Sequence, residues 1–262
     1  MTRILSAAVA IPLTMGVVLY GSKPLFLFLV AVVALIGCRE YFELISRVGV
    51  EGFPKLGMAL SFLLLLSFYF GSDYLLQWGL VAVVSVIAAW FLIEKDVKIA
   101  IVQISFTLLG IFYVAGLSGY YLLLREIGSG RQWLLFLFIV IWSGDIAAYY
   151  VGKNWGKSPL AQAVSPNKTI EGAVGGLSGN LVAAGVVSVW FLDSTPVWVN
   201  LIGALICGII GQFGDLAESL LKRNAGIKDS GNLIPGHGGV LDRIDSLLFA
   251  GPALYCYLSL WH

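Results

Sequence analysis

Long apolar segments recur along almost the whole chain, and they constrain its fold more than any other feature. A helix needs about 20 consecutive apolar residues to cross a bilayer. Runs near that length cover residues 4–20, 24–42, 54–71, 74–93, 99–123, 132–151, 172–192, 196–217 and 246–261. Only 12% of the residues are charged, against about 25% in soluble domains. The sequence therefore predicts an all-α, polytopic integral membrane protein with about nine transmembrane helices.

Basic residues are distributed unevenly between the two sides that these spans would create. Cytoplasmic loops carry the excess of lysine and arginine in membrane proteins, so the richer side is predicted to be cytoplasmic, with the N-terminus inside. The polar segments 152–171 and 218–245 then share the cytoplasmic face. The richer side carries Arg3, Arg39, Arg47, Lys55, Lys95, Lys98, Lys153, Lys157, Lys168, Lys222, Arg223, Lys228 and Arg243, and the other carries Lys23, Arg125 and Arg131.

The eighth span ends in a polar stripe. Asp215, Glu218, Ser219 and Lys222 follow one another at helical spacing, which places them on one face. An ionisable side chain deep in an apolar segment indicates function, and this favours a metal-binding role for Asp215. For Glu218, metal binding and simple pairing with Lys222 are equal alternatives.

A glycine-rich turn, residues 236–239, precedes the last span. Glycines let backbone amides approach an anion closely. Asp242 and Asp245 follow on one predicted helical face, with Arg243 between them. Carboxylates suit a hard cation, so the pair favours a metal site, although the acids could simply complement a helix dipole.

A second polar segment follows the sixth span. Asp145 lies about a turn and a half inside the cytoplasmic end of that span, where a carboxylate is costly. The loop after it carries Lys153, Lys157 and Lys168. Residues 165–172 are predicted to form a turn that leads into a helix. Lys168 lies within this segment, and its position near a helix start favours phosphate binding. For Lys153, attraction to the lipid surface is an equal alternative.

Chemistry is concentrated in the second half of the chain. Residues 1–131 are predicted to form about five spans, and residues 132–262 to form the catalytic transmembrane region that carries both polar segments. In the first region, Arg39 and Glu40 end the second span. An interfacial ion pair is the preferred interpretation of these two residues, and orientation of lipid headgroups is the alternative. Residues 3–15 are similar to a signal peptide, but the later spans favour a retained first helix.

Together the two segments resemble the phosphatidate cytidylyltransferase family, also called CDP-diacylglycerol synthases. The family signature has the form S-x-x-K-R-x4-K-D-x-G/S/A-x2-hydrophobic-P/G-x-H-G-G-x-x-D-R-x-D, and residues 219–245 match it. The upstream elements D-x-x-A-Y-x-x-G, G-K and S-P-x-K-T-x-E-G match within residues 145–172. Ile146 departs from the threonine of many members, which would alter a hydroxyl contact but not the assignment.

The resemblance implies an enzyme of phospholipid biosynthesis. Such an enzyme transfers CMP from CTP to phosphatidate and releases CDP-diacylglycerol and pyrophosphate. It implies a Mg²⁺ requirement, with a second, monovalent cation such as K⁺, and a homodimer that binds no nucleic acid. It also implies a location in the bacterial cytoplasmic (inner) membrane, with the active site facing the cytoplasm.

The matching positions carry the expected roles. The metal ligands are expected to be Asp215 and Asp242, with Asp245 nearby and Glu218 as a further candidate. The catalytic set comprises Asp215, Asp242, Lys168, Lys222, Arg243, Asp245 and His237. The substrate-binding set comprises Asp145, Lys157, Ser165, Lys168, Ser219, Lys222, Arg223, Lys228, Gly238 and Gly239.

The implied reaction needs little proton transfer. A phosphate monoester is mostly dianionic at neutral pH because its second pKa is about 6, so the phosphate of phosphatidate can attack CTP without a general base. Positioning and charge neutralisation are then the main catalytic tasks. For His237, a phosphate contact or a turn residue is therefore preferred over a general base, although all three roles remain open.

Two other classes fit the composition. A transporter would also place acids and lysines within spans, but it often shows internal repeats, which this sequence lacks. A cation- and lipid-binding scaffold would keep the loops without nucleotide specificity. Among enzymes, those that use cytidine nucleotides with polyprenol acceptors are the nearest alternative.

Overall fold

A computed structural model describes residues 2–71, 73–91, 97–233 and 238–261, and helices dominate them. The helices are α1 (Thr2–Tyr20), α2 (Lys23–Arg47), α3 (Pro54–Phe70), α4 (Asp73–Phe91), α5 (Val97–Gly110), α6 (Leu117–Glu126), α7 (Gly130–Trp155), α8 (Ile170–Trp190), α9 (Val197–Asn224) and α10 (Leu241–Trp261). A π-helical segment, Ile111–Gly116, joins α5 to α6. Two short strands, β1 (Pro159–Ala161) and β2 (Ser165–Thr169), form an antiparallel hairpin.

The predicted helical membrane fold is confirmed, whereas the count of about nine spans is not. Six helical stretches among the described residues are long and apolar enough to cross a bilayer. They are Lys23–Arg47, Ile99–Glu126, Gly130–Trp155, Ile170–Trp190, Val197–Asn224 and Leu241–Trp261. The apolar helices Ala8–Tyr20, Pro54–Phe70 and Gln77–Ala89 are shorter.

Local sequence signals explain where several helices begin and end. Ser22 caps α2, because its side chain accepts a hydrogen bond from Leu25 N–H at 3.4 Å. Thr169 caps α8 by accepting from Gly172 N–H at 3.1 Å. These bonds satisfy amide groups that have no partner within the helix. Helix α3 ends at Gly71, whose φ of 64° lies in the left-handed region that favours glycine.

The chain divides into two compact units. The first comprises Met1–Leu123 with Asn224–Arg243, and the second comprises Leu124–Arg223 with Ile244–His262. The signature segment 219–245 is therefore distributed over both units. The expected division of the chain at residue 131 remains a prediction.

In the first unit, α2 supplies much of the buried core. The ring of Tyr41 is buried, and its hydroxyl donates to Phe106 O at 3.0 Å. Gly110 lies against this ring, where a Cβ atom would come within 2.5 Å of the ring carbon Cε1. Phe42 packs edge-on against Tyr41, with ring centroids 5.5 Å apart. A small residue at position 110 thus lets the chain approach the aromatic core of α2.

In the second unit, α7 and α8 pack through small residues. A Cβ atom on Gly175 would lie 2.6 Å from the Val151 side chain, and one on Gly179 would lie 2.6 Å from Ala147. Small residues allow membrane helices to bring their backbones close together, which increases van der Waals contact. The pairing of α7 with α8 therefore depends on residues without bulky side chains.

Asn180 is a buried polar residue within this packing. Its side chain is 2% exposed and occupies the space that Cβ atoms on Gly144 and Gly208 would need. Glycine at both positions thus makes room for one amide among α7, α8 and α9. A polar group of this kind can also hold membrane helices together by hydrogen bonding.

Gly144→Ala is expected to destabilise the second unit, because the added methyl group would collide with the Asn180 amide. Overpacking of this kind costs about 1–3 kcal/mol. The measurement is thermal unfolding of the purified protein in detergent. Gly185→Ala on α8 is the matched control, since a Cβ there meets nothing within 4 Å. An equal melting temperature for Gly144→Ala and the wild type would contradict the packing described here.

Candidate functional site

The second unit contains a cavity of about 610 Å³, which lies within the size range of small-molecule sites. Helices α7, α8, α9 and α10 and the β-hairpin contribute to its lining. The cavity brings together four of the predicted site residues, Asp145, Ser165, Lys168 and Asp215. It therefore combines cationic, anionic and hydroxyl groups in a space that could hold a charged ligand.

An ion pair between Lys168 and Asp215 forms part of the lining of this cavity. Lys168 Nζ lies in direct contact with Asp215 Oδ2, and both side chains are about 30% exposed, at 29% and 31%. The Ser219 hydroxyl also contacts Asp215, donating to Oδ1 at 3.5 Å. The strand β2 and the helix α9 thus place a lysine and a carboxylate together in the lining of the cavity.

The β-hairpin that carries Lys168 differs from the predicted turn into a helix. Residues 165–169 form β2, and Pro159 of β1 pairs with Thr169. Glu171, in the first turn of α8, accepts hydrogen bonds from Lys157 N–H at 3.0 Å and from Ser158 N–H at 3.1 Å. The carboxylate thereby ties the start of the hairpin to the helix that follows it. Strand pairing and the Glu171 carboxylate thus restrain the hairpin that carries Lys168.

Arg223 has a structural contact in addition to its predicted phosphate-binding role. Its Nε donates to Val164 O at 3.1 Å, and Val164 immediately precedes β2. The end of α9 is therefore tied to the hairpin by one of the signature residues. Phosphate binding by Arg223 remains a prediction.

Acidic side chains cluster at the polar ends of α7, α9 and α10 in the second unit. Asp215, Glu218 and Asp145 all act electrostatically on Asp245. Glu218 is fully buried and pairs with Lys222 Nζ at 2.6 Å. The predicted pairing of Glu218 with Lys222 is thus present, and metal binding by Glu218 remains a prediction.

The donor chemistry of this acidic cluster fits a divalent cation. Carboxylate oxygens are preferred ligands of Mg²⁺, and acids that repel one another are stabilised by added positive charge. In the part of the chain that the structure describes, no three histidine, cysteine or acidic side chains are already arranged as a metal site. The cluster therefore supplies suitable ligand types rather than a completed coordination shell.

Asp242 lies in the first unit and has its own set of donors. Its Oδ2 accepts from Ser230 N–H at 2.8 Å, from Ser230 Oγ at 2.9 Å and from Gly239 N–H at 2.8 Å. Gly238 has a φ of 81°, which favours glycine. The two glycines thus form a tight turn that ends against the Asp242 carboxylate.

The remaining predicted residues are placed as follows. Lys157, Lys228 and Arg243 are exposed, and Ser219 is buried. His237 lies outside the described residues, so its role remains a prediction. Arg243 belongs to the first unit, whereas Asp245, two residues later, belongs to the second.

The preferred interpretation of Arg39 and Glu40 as an ion pair is wrong. Arg39 Nε instead donates to Glu43 Oε1 at 2.8 Å, with both side chains well exposed. Glu40 is only 5% exposed and accepts hydrogen bonds from Ser230, Val240 and Leu241. Successive residues of a helix are rotated by about 100° around its axis, so the two neighbours on α2 face different surroundings. A carboxylate within an apolar helix was the available signal for this site.

Gln212 is a further residue that the sequence analysis did not identify. It lies three positions before Asp215 on α9 and lines the same cavity. Its Nε2 donates to Ala173 O at 3.0 Å. Helical spacing from Asp215 could have identified it, because residues three apart share a helix face.

Comparison with known proteins gives matches along the whole chain. The sequence profile of the cytidylyltransferase family matches residues 1–261. A phosphatidate cytidylyltransferase of Synechocystis sp. is 35% identical over 289 aligned residues, which cover 98% of this chain and 96% of the relative. The phosphatidate cytidylyltransferases of Staphylococcus haemolyticus and Staphylococcus saprophyticus are 33% and 34% identical. Each of these two alignments covers 96% of both chains.

Proposed function

The chain belongs to the cytidylyltransferase family, and on this premise we propose that it transfers CMP from CTP to phosphatidate. The products are CDP-diacylglycerol and pyrophosphate, and the enzyme is a nucleotidyltransferase of phospholipid biosynthesis. The observation that carries this function is the similarity to phosphatidate cytidylyltransferases along nearly the full length of both chains. A likeness confined to one motif would leave the substrates open.

The cavity in the second unit supports the substrate assignment. CTP and phosphatidate both carry phosphate groups, and Lys153 and Lys168 line the cavity. A lysine ammonium attracts phosphate as a compact point charge. Tyr149 contributes an exposed aromatic ring to the same lining. The lining thus offers charge for phosphates and a flat surface for the rest of a nucleotide.

The proposed reaction is an in-line displacement at the α-phosphorus of CTP. A phosphate oxygen of phosphatidate forms the new P–O bond, and the bond to pyrophosphate breaks. No side chain must remove a proton, because the attacking phosphate is already ionised at neutral pH. The protein's task is to hold two anions together against their repulsion.

Individual residues can be assigned to this task. Lys168 and Lys222 would bind phosphate oxygens, and each already lies beside a carboxylate, Asp215 or Glu218. These carboxylates keep the ammonium groups in position before substrate arrives. Such preorganisation lowers the cost of rearrangement when charge develops in the transition state.

Mg²⁺ is the proposed cofactor. In the second unit Asp215 and Asp245 would hold it, and the family resemblance adds Asp242. When bound, the cation neutralises phosphate charge and polarises the phosphoryl oxygens. The support for this assignment is the group of acids that act electrostatically on Asp245. A second, monovalent cation such as K⁺ is proposed on the resemblance alone.

The protein is an integral membrane protein. Its proposed location is the bacterial cytoplasmic membrane, supported by the bacterial origin of its relatives. The excess of basic residues supports a cytoplasmic active site. A homodimer is proposed on the family resemblance alone.

The purified protein is expected to convert radiolabelled CTP and phosphatidate to CDP-diacylglycerol, and EDTA should abolish the conversion. The measurement is product formation by thin-layer chromatography with a panel of acceptors that includes phosphatidate and polyprenyl phosphate. Excess Mg²⁺ should restore activity after EDTA treatment. Transfer to polyprenyl phosphate in preference to phosphatidate would contradict the proposed function.

Lys168→Ala is expected to reduce kcat/KM on the order of 10²-fold, which is typical for loss of one preorganised charged donor. The comparison uses initial rates at matched amounts of folded protein. Lys55→Ala serves as the control, because Lys55 is an exposed lysine at the start of α3. Near-normal activity of Lys168→Ala would contradict the phosphate-binding role of Lys168.

Cysteine labelling tests the proposed orientation. In a background without Cys38, Cys207 and Cys256, single cysteines are introduced as Lys157→Cys, Asn232→Cys or Ser194→Cys, all at exposed positions. A membrane-impermeant maleimide is expected to label the first two only from the cytoplasmic side and the third only from outside. Labelling of positions 157 and 232 from opposite sides would refute a shared cytoplasmic face.

A further inference from the structure

Glu40 is a buried acid in the first unit that belongs to neither family motif. It lies on α2 and is only 5% exposed. Its neighbour Glu43, one turn later on the same helix, is exposed and pairs with Arg39. A buried carboxylate is costly unless hydrogen bonds compensate the lost hydration. The compensating bonds for Glu40 come from a part of the chain about 200 residues away.

Two of these hydrogen bonds cap the start of α10, although Glu40 itself lies on α2. Glu40 Oε1 accepts from Val240 N–H at 2.9 Å, and Oε2 accepts from Leu241 N–H at 2.8 Å. These amides stand at the first turn of α10, which begins at Leu241. The first amides of a helix have no partner within it, and a negative charge there is favoured by the helix dipole. Glu40 therefore fixes the start of the helix that carries Asp242.

The Ser230 hydroxyl links Glu40 to Asp242. Ser230 Oγ lies 3.1 Å from Glu40 Oε2 and 2.9 Å from Asp242 Oδ2. Its single hydroxyl hydrogen is thus shared between two carboxylates. Asp242 Oδ2 also accepts from two backbone amides, those of Ser230 and Gly239. One carboxylate oxygen of Asp242 is therefore fixed by three donors, and the other oxygen is confined with it.

Glycines leave room for the carboxylates of Glu40 and Asp242 to lie close to the backbone. A Cβ atom on Gly239 would collide with the Ser230 hydroxyl and with Glu40 Oε2. A Cβ on Gly231 would lie 2.8 Å from Glu40 Oε1, and one on Gly238 would lie 2.6 Å from Asp242 Oδ2. These signature glycines thus have a physical purpose besides any contact with phosphate.

A carboxylate is the side chain that this arrangement requires. Both Glu40 oxygens accept hydrogen bonds from N–H groups. Glutamine at this position would turn an NH₂ group toward a backbone N–H in either orientation of its amide. A buried donor left against another donor loses its hydrogen bond and retains its desolvation cost.

We propose that Glu40 is a positioning residue for the metal ligand Asp242, and that it acts through Ser230 and the first turn of α10. The proposal rests on the proposed function in one respect, the assignment of Asp242 to metal. Residues that orient a ligand through hydrogen bonds typically change metal affinity or activity by about 10–100-fold when they are mutated. Glu40 is expected to act on metal affinity more than on CTP affinity.

The experiment compares Glu40→Gln, Ser230→Ala and Asp242→Asn with the wild type. Mn²⁺ binding is titrated by electron paramagnetic resonance without CTP or lipid, and the Mg²⁺ concentration for half-maximal activity is measured separately. Glu40→Gln should weaken Mn²⁺ binding and raise the Mg²⁺ requirement by about tenfold or more. The KM for CTP at saturating Mg²⁺ should change by less. Combining Glu40→Gln with Ser230→Ala should give less than the product of the single effects, because the residues act as one unit.

Glu43→Gln is the matched control, with the same chemical change one helical turn away at an exposed position. It should leave Mn²⁺ binding and the Mg²⁺ requirement at wild-type values. If Glu40 has only a structural role, the yield or the melting temperature of Glu40→Gln should fall. The folded fraction of this variant should then still bind metal as the wild type does. That result would overturn the proposal.

Other results would overturn either the role of Glu40 or the proposed function. If Glu40→Gln does not fold, Ser230→Ala carries the test, and unchanged Mn²⁺ binding in that variant overturns the proposal. Mn²⁺ binding that is absent in the wild type, or insensitive to Asp242→Asn, also overturns it. A wild type that binds Mn²⁺ but transfers no CMP would refute the proposed function alone, because the binding experiment still tests Glu40.

Discussion

The cost of placing charge beside hydrocarbon governs the polar chemistry of this protein. An ionised side chain in or near a bilayer needs a partner, because lipid cannot replace its hydration. The second unit meets this need with lysine–carboxylate pairs, Lys168 with Asp215 and Lys222 with Glu218. In the first unit, Glu40 and Asp242 use backbone amides and the Ser230 hydroxyl. Acidic side chains of apolar helices are thus compensated by ammonium groups in the second unit and by uncharged N–H and O–H donors in the first.

Close helix packing supports these polar ends. Small residues bring α7 and α8 together, and Asn180 fills the space left by Gly144 and Gly208. Tight packing restricts side chains and backbones alike, since interiors of this density leave little room for rearrangement. The hairpin with Lys168 extends from this pair of helices and is tied down by Glu171. The closely packed helices therefore support the hairpin that carries a charged side chain of the cavity.

The arrangement suits a reaction whose main obstacle is repulsion between anions. The cavity presents Lys168 beside Asp215, so this positive group is held in place before a ligand arrives. Phosphoryl transfer depends mostly on positioning and on electrostatic stabilisation. In its proposed role Glu40 orients Asp242, because a carboxylate that is to bind a cation must itself be held in position. The amino-terminal helices, which carry little chemistry in sequence, thus contribute one buried acid to the hydrogen bonds around Ser230 and Asp242.

The helical membrane fold and most of the polar residues of interest could be predicted from sequence alone. Apolar length and helical spacing are local properties, so the helices and the stripe that holds Asp215, Glu218 and Lys222 follow from short stretches of chain. The family resemblance rests on the same local motifs. The β-hairpin was not predicted, because the segment of β2, Ser-Pro-Asn-Lys-Thr, has turn-forming rather than strand-forming residues.

Only the tertiary structure decided which partners these residues have. Arg223 Nε donates to Val164 O, 59 positions away, and Glu40 caps a helix 201 positions away. No local pattern records such contacts, because they depend on how helices pack and not on the spacing within any one of them. The sequence determined where charge would be concentrated, since charge is costly within apolar spans. Packing decided how each charge is compensated, since a buried carboxylate takes whichever donors the fold brings within hydrogen-bonding distance.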